Sequence, residues 1–503
     1  MKKTFIYWVL ALGAFAVLGA AAVWMGGLNQ DEGWYLYAAN LVAEGKTPYR
    51  DFFYTQGPML PYVYSVFAGI WKSWGLLGAR LYTLALGAAG ILVAMTLARR
   101  LVAPERRNAA SLAVFLLLGS NLYHLYYLTI PKTYALASLF VLVGFYLLFV
   151  AVGRSRLLMA VSAGLALAFA AGTRISLGAL LAVCGLWLLL TRQGRVLIGF
   201  AVGGLAGLAL VYLPFLLDAG ARDGLLAAQA YHAARGGFDP VWTVGSASRL
   251  VRWYLPVFVV LGLGIAGKVG TGRTSETGRT DGTGRTSGTG VLLWGFGAVF
   301  AVQMLAPFPY EDYQVPVMGL LAVFATVTFV KNANAPLSTS TSSLHLLLVL
   351  GLCFANSFGS PLLEKWSTNG QDRFWSLKKE KTELAQLRDV ARRIEALDPG
   401  GRELLTQDLY LAIETGRKVP KGLEMGPFAM LTDDEWRKLL GSVPCEVAAL
   451  SGYAFAIEPP VCKERPMDRQ MEYWSILKRN YGFVEREEAF GQNATPLLIL
   501  RRK

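Results

Sequence analysis

An uncharged run of 23 residues, Phe5 to Gly27, is followed within four positions by two adjacent carboxylates, Asp31 and Glu32. Roughly 20 apolar residues suffice to cross a bilayer core, so the run is long enough to span. Lys2-Lys3 precede it, it exceeds the apolar core of a signal peptide, and no clear small-x-small cleavage site separates it from the acidic pair. It therefore reads as a retained first span. Carboxylates at the mouth of a membrane helix are costly unless solvated, paired or used. A solvated loop start is the plain alternative. The Tyr, Trp, Gly and Pro residues that follow, as far as Gly57-Pro58, argue instead for a folded, functional loop.

The same kind of apolar run recurs along the chain. Candidate spans cover 5–27, 79–98, 108–129, 133–153, 157–173, 175–191, 196–217, 250–267, 291–308, 313–330 and 343–360. Only Arg174 separates the fifth from the sixth, which leaves two short spans or one long broken element. With 54% hydrophobic and 16% charged residues, the expectation is a polytopic α-helical membrane protein of about 11 spans. The net charge of +14 does not point to nucleic acid. Many of the basic residues sit in short loops between spans, as the positive-inside rule requires, and no basic-aromatic binding module is present.

That distribution places the N-terminus in the cytoplasm, residues 28–78 outside as a first outer loop, and residues 362–503 outside as well. Residues 57–75 are apolar and aromatic but too short to span, which suits a helix lying in the interface. Residues 268–290 form an inner loop whose Thr-Gly-Arg-Thr repeat cannot bury a core and is expected to be disordered. Residues 331–343 are a second polar linker. The chain thus divides into a membrane domain, 1–361, and an extracytoplasmic α/β domain, 362–503. Within the latter, Phe374–Leu397 is amphipathic with a Leu377, Leu384, Leu387, Ala391, Ile394 stripe, and Thr432-Asp433-Asp434-Glu435 reads as a capping box. Met471–Asn480 reads as a further helix, and Leu404-Leu405 and 496–500 read as strands. Nothing in this domain resembles a catalytic constellation.

The ionisable residues gather at the outer ends of spans: Asp31, Glu32, Arg80, His124, Lys132, Arg174, Arg249, Arg252, Glu311 and Asp312. Carboxylates with several cations at one membrane face suit an anionic, phosphate-bearing lipid. For the arginines the alternative is snorkelling to headgroups, and for Glu311-Asp312 a solvated turn. Arg80, Lys132 and Arg174 are the candidate lipid-phosphate ligands. Tyr35, Asp51, Tyr54, Glu311 and Asp312 are candidate substrate contacts. Three His and four Cys without metal-ligand spacing offer no protein-built zinc site. Cys445 and Cys462 are a candidate disulfide if their domain is outside. A transporter or flippase, and a non-catalytic scaffold, are rival readings; the former expects ionisable residues at mid-span.

Asp31-Glu32-Gly33-Trp34-Tyr35, Tyr49-Arg50-Asp51-Phe52-Phe53, Gly57-Pro58, Gly78-Ala79-Arg80 and Gly172-Thr173-Arg174 together resemble the GT-C glycosyltransferases. The likeness is to the protein-mannosyltransferase and aminoarabinose-transferase group, over roughly residues 1–330. It implies transfer of a sugar from a polyprenyl-phosphate donor to a glycan, lipid or protein acceptor at the outer membrane face. It also implies Asp31 as catalytic base, with Glu32 positioning it or the acceptor, and leaves room for a divalent cation. Where the family often has a His-x-Tyr element, this chain reads Tyr310-Glu311-Asp312-Tyr313. Where a second acidic residue is frequent, it reads Pro131-Lys132.

Overall fold

The computed structural model describes residues 2–234, 236–270, 288–332, 340–360, 362, 381–429, 431–452, 467–492 and 494–503. Sixteen helices lead up to residue 358 among these. The first four are α1 (Lys2–Met25), α2 (Gln30–Ala43), α3 (Met59–Ser65) and α4 (Ala68–Leu101). Next come α5 (Arg107–Gly119), α6 (Leu122–Thr129), α7 (Thr133–Arg154), α8 (Leu157–Thr173) and α9 (Ala179–Leu190). They continue with α10 (Gly194–Leu217), α11 (Ala219–Ala233), α12 (Pro240–Trp253) and α13 (Leu255–Gly270). The last are α14 (Gly290–Met304), α15 (Val315–Asn332) and α16 (Ser340–Phe358).

Five described helices are continuous, apolar and long enough to cross a membrane, and two bent pairs raise this to seven. The pairs are α5–α6, bent by 71°, and α12–α13, bent by 80°. Asn121 explains the first bend. Its side chain caps α6 at His124 N and donates to Trp253 O at 2.9 Å, so the backbone groups freed by the break find partners. The other expected spans coincide with shorter apolar helices, and Arg174 does separate two of them, α8 and α9. Most of the repeat tract (271–287), the linker residues 333–339 and residues 374–380 of the amphipathic stretch lie outside the described residues.

The expected interfacial helix is two pieces, α3 and the start of α4. Gly75 interrupts α4 at φ 62°, ψ −153°, a conformation that suits glycine, and a Cβ there would lie 2.2 Å from a Glu414 carboxylate oxygen. Val66 (76% exposed) and Trp74 (63%) face outward from this element, as a lipid-headgroup boundary favours.

The C-terminal residues form helices Glu383–Leu397, Leu409–Thr415, Asp433–Ser442 and Met467–Asn480 around an antiparallel sheet. Its strands are β1 (Val447–Ser451), β2 (Tyr481–Phe490) and β3 (Thr495–Arg502), in the order β1-β3-β2, with Val447 opposite Arg501 and Tyr481 opposite Arg502. The Thr432–Glu435 capping box is formed. Leu405 forms an isolated bridge to Ala448 and Leu404 N donates to Lys418 O, and the two do not form a strand.

This part does not stand clear of the first loop. Trp34, Leu36, Tyr54 and Leu76 share one hydrophobic cluster with Leu384, Leu387, Ile394, Tyr410 and Ile499. Polar contacts reinforce it: Leu28 N donates to Glu383 (2.6 Å), Leu76 N to Glu414 (2.8 Å) and Val419 N to the Tyr37 hydroxyl (3.0 Å). Helix Leu409–Thr415 touches α2 at Gly33, where a Cβ would meet Tyr410 N at 2.3 Å. Gly33→Ala is therefore expected to cost ~1–3 kcal/mol through overpacking against backbone that cannot swing aside. The readout is a lower melting temperature of the purified protein. An unchanged melt would mean that the two helices do not touch there.

Candidate active site

Asn29 starts α2. Its side-chain oxygen accepts from Asp31 N at 3.0 Å, and Glu32 reaches back to Asn29 N at 3.0 Å, closing a capping box. The two carboxylates thus occupy a helix N-terminus, which favours negative charge. Successive residues on a helix point about 100° apart, so Asp31 and Glu32 go different ways.

Glu32 turns inward and is fully buried against Arg80, also fully buried. Arg80 Nε and Nη2 hold its two oxygens at 2.8 and 2.7 Å. The other donors reach the carbonyls of Val23 (3.1 Å), Gly26 (2.9 Å) and Gly27 (3.1 Å) at the end of α1. All five guanidinium N–H groups are spent. This corrects the expectation for Arg80: it has no donor left for a lipid phosphate. Glu32 likewise faces Arg80 and not a substrate.

Asp31 turns the other way, into a cavity of about 560 Å³. Its Oδ1 accepts Trp34 Nε1 at 3.0 Å, and its Oδ2 lies 2.8 Å from Lys132 Nζ. Lys132, in extended backbone just before α7, also reaches Asp312 Oδ2 at 3.3 Å. That oxygen accepts the Tyr134 hydroxyl as well, at 2.7 Å. One ammonium therefore bridges two carboxylates. Burial pushes the Asp31 carboxyl up, but the Lys132 charge and the hydrogen bonds from Lys132 and Trp34 outweigh it and hold it below the usual aspartate range.

Arg174 also lines the cavity, in extended backbone between α8 and α9. Its guanidinium carbon sits 4.0 Å from the Tyr313 ring centroid and 5.4 Å from that of Tyr134. Among the described residues it forms no ion pair or side-chain hydrogen bond. Stacking on rings leaves the N–H edges of a guanidinium free for a planar or tetrahedral anion.

Tyr35 lines the cavity with Asp31, Lys132, Arg174 and Asp312. Three other expected contacts do not. Asp51 pairs with Arg50 at 3.0 Å and accepts from Thr47 N at 2.7 Å, so it braces its own loop. Tyr54 is fully buried behind Trp34 and Tyr35 in an aromatic cluster. Glu311 pairs with Arg249 at 3.1 Å outside the lining. His124 is tied to the Tyr254 hydroxyl at 2.9 Å. Cys445 is buried, with its thiol pushed up to about 12, and Cys462 lies outside the described residues.

The sequence reading missed several lining residues. Gln303 and Phe308 come from the end of α14 and the loop after it, Tyr231 from α11, and Phe428 and Gln492 from the C-terminal part. Gln492 is placed by its bond to Gln30 N at 2.8 Å, a pairing across 462 positions with no local signal.

Among the described residues no group of three His, Cys, Asp or Glu could hold a metal ion. The two cavity carboxylates already share the Lys132 ammonium, so these residues do not fit a divalent cation.

No family model matches the chain, and no curated protein matches it by sequence. Solved structures do. ArnT from Cupriavidus metallidurans in the apo state aligns with a TM-score of 0.59 at 14% identity, over 98% of this chain and 97% of that one. The same protein bound to undecaprenyl phosphate gives 0.55 at 14% identity, over 99% and 97%. The Archaeoglobus fulgidus oligosaccharyltransferase in complex with Zn and sulfate gives 0.50 at 12% identity, over 96% of this chain and 72% of that one. At such identities the likeness is one of fold, and it spans nearly the whole chain: this is a multi-pass membrane protein with the GT-C fold.

Proposed function

We propose that the protein is an inverting glycosyltransferase that moves a sugar from a polyprenyl-phosphate donor to a glycan, lipid or protein acceptor at the outer membrane face. The observation that carries this reading is that two groups line one cavity: a carboxylate held ionised, Asp31, and a guanidinium with no ion pair or side-chain hydrogen bond among the described residues, Arg174. The solved ArnT complex with undecaprenyl phosphate supports a donor of that class. The outward placement of the site rests on the basic residues of the short loops between spans. A transporter would instead need its ionisable groups at mid-span.

In this mechanism the acceptor hydroxyl oxygen attacks the anomeric carbon from the face opposite the phosphate. The bond from that carbon to the phosphate oxygen breaks, and its electron pair leaves with the lipid phosphate. Asp31 takes the hydroxyl proton. A carboxylate of low pKa is a weak base, so transfer falls late, when the attacking oxygen is already bonded to carbon and strongly acidic. The leaving phosphate needs no proton. Arg174, together with Lys132, stabilises its growing charge. The prenyl chain lies along the apolar helix surfaces. Lys132 also keeps Asp31 ionised, which ties donor binding and base strength to one side chain.

Asp31→Asn is expected to lower transfer by ~10²–10⁴-fold, the usual worth of a general base, with the melting temperature little changed; near-normal turnover would remove Asp31 from that role. Arg174→Ala should weaken binding of polyprenyl phosphate by about 10–100-fold, as loss of charge-assisted hydrogen bonds predicts. A normal dissociation constant would take Arg174 out of the phosphate site. The pH profile supplies a third test. Because the Asp31 pKa is lowered, the base stays ionised down to pH values below the ordinary carboxylate pKa, and activity is lost only as pH falls through that depressed value. In Lys132→Met, burial is opposed only by the Trp34 hydrogen bond and the Arg174 charge, so the acid limb of the rate profile should move to higher pH. An unmoved limb would mean that Lys132 does not set the ionisation of Asp31.

A further inference from the structure

Two donors hold the Asp31 carboxylate, one on each oxygen: Trp34 Nε1 on Oδ1 at 3.0 Å and Lys132 Nζ on Oδ2 at 2.8 Å. They differ in kind. Lys132 ends a flexible stem, divides its ammonium between Asp31 and Asp312, and is drawn toward any phosphate that enters the cavity. Trp34 carries a neutral N–H that can donate but can neither accept a bond nor take up a proton. Its part at Asp31 is therefore confined to holding an oxygen.

The Trp34 ring is itself held fast. It is 3% exposed, stacks on Tyr35 with ring centroids 3.7 Å apart, and meets Tyr54 edge-on at 5.5 Å. Trp34 and Tyr35 stand three and four positions beyond Asp31 on α2, so the three residues share one face of that helix. The direction of the indole N–H is thus set by the helix and the two neighbouring rings before any ligand arrives. A buried indole N–H needs a partner, and a backbone carbonyl would serve; here the partner is a carboxylate that lines the cavity.

Resting on the proposed glycosyl transfer, we infer that Trp34 is the positioning residue of the base: its N–H fixes the plane of the Asp31 carboxylate while Lys132 turns to the leaving phosphate. A carboxylate held at one oxygen alone can rotate about its Cβ–Cγ bond. Held at both oxygens, by groups on different elements, it cannot. As the phosphate gathers charge and competes for the ammonium, the Trp34 bond is the one that does not loosen. The same bond favours the ionised carboxylate and adds to the effect of Lys132. The other charged and titratable groups about Asp31 are Arg174 between α8 and α9, Asp312 and Tyr313 ahead of α15, and Tyr35 on α2. A change confined to the Trp34 N–H leaves all of them in place.

The test uses the purified full-length protein. Trp34→Phe keeps a ring to stack on Tyr35 and deletes the N–H. Loss of one hydrogen bond to a charged group is expected to lower kcat about tenfold or more. The ionised form of Asp31 loses support, so its pKa rises and the acid limb of the rate profile moves to higher pH, in the same direction as in Lys132→Met but by less, because the lost donor is neutral. The dissociation constant of labelled polyprenyl phosphate should not change, since Lys132 and Arg174 are both retained. A folded variant with wild-type kcat and an unmoved limb overturns the inference. So does a loss of kcat with no movement of the limb, which a merely structural role would give. If Trp34→Phe does not fold, benzothienylalanine in place of Trp34, which keeps the bicyclic ring and puts sulfur where the N–H was, supplies the same readouts. Near-normal turnover by Asp31→Asn, or failure of the wild-type protein to bind polyprenyl phosphate, overturns the functional reading instead.

Discussion

The buried pair of Glu32 and Arg80 fixes the geometry on which everything else is built. Two charges with no solvent contact survive only when each is fully hydrogen-bonded, and here the two carboxylate oxygens, five guanidinium donors and three helix-end carbonyls satisfy one another. The pair joins the end of α1, the start of α2 and the outer part of α4. Because Glu32 is locked, the rotation of α2 about its axis is locked, and Asp31 has one direction in which to point. Of two neighbouring carboxylates, one holds the scaffold and the other faces the cavity. They are adjacent in sequence and separated in role by about 100° of helix.

The second constraint is a shortage of positive charge at the cavity wall. Lys132 serves Asp31 and Asp312 together, so neither carboxylate is neutralised independently. Any change at one of the three is felt by the other two, since the same ammonium must divide its hydrogen bonds between them. Arg174 is held by the rings of Tyr313 and Tyr134 and, among the described residues, pairs with no carboxylate. Ring stacking aims a guanidinium without consuming its donors, so its position is set before any ligand arrives.

Much of the membrane architecture was legible because apolar length and flanking charge are local properties. The Leu384, Leu387, Ile394 stripe and the Thr432 capping box were legible for the same reason. The gathering of Asp31, Lys132, Arg174 and Asp312 could be anticipated from their shared place at helix ends, without knowing which would touch. Arg80 was misread because its spacing from Asp31 says nothing about where α1 ends in space. The Asn29-x-x-Glu32 pattern was a usable sign that Glu32 was already engaged. Asp51 and Glu311 looked available only because their partners, Arg50 and Arg249, could equally have served a substrate. Gln303 and Gln492 carried no sign at all. An uncharged amide gains meaning only from what folding brings beside it.

The first loop draws its partners from far along the chain: Leu28 bonds to Glu383 across 355 positions, Leu76 to Glu414 across 338 and Gln30 to Gln492 across 462. Contacts of such separation close late, after the loop entropy between them has been overcome. During synthesis the helix bearing Asp31 emerges long before Gln492, which lies 462 positions beyond Gln30 and helps complete its surroundings. The cavity wall is therefore completed only after that later stretch has been made.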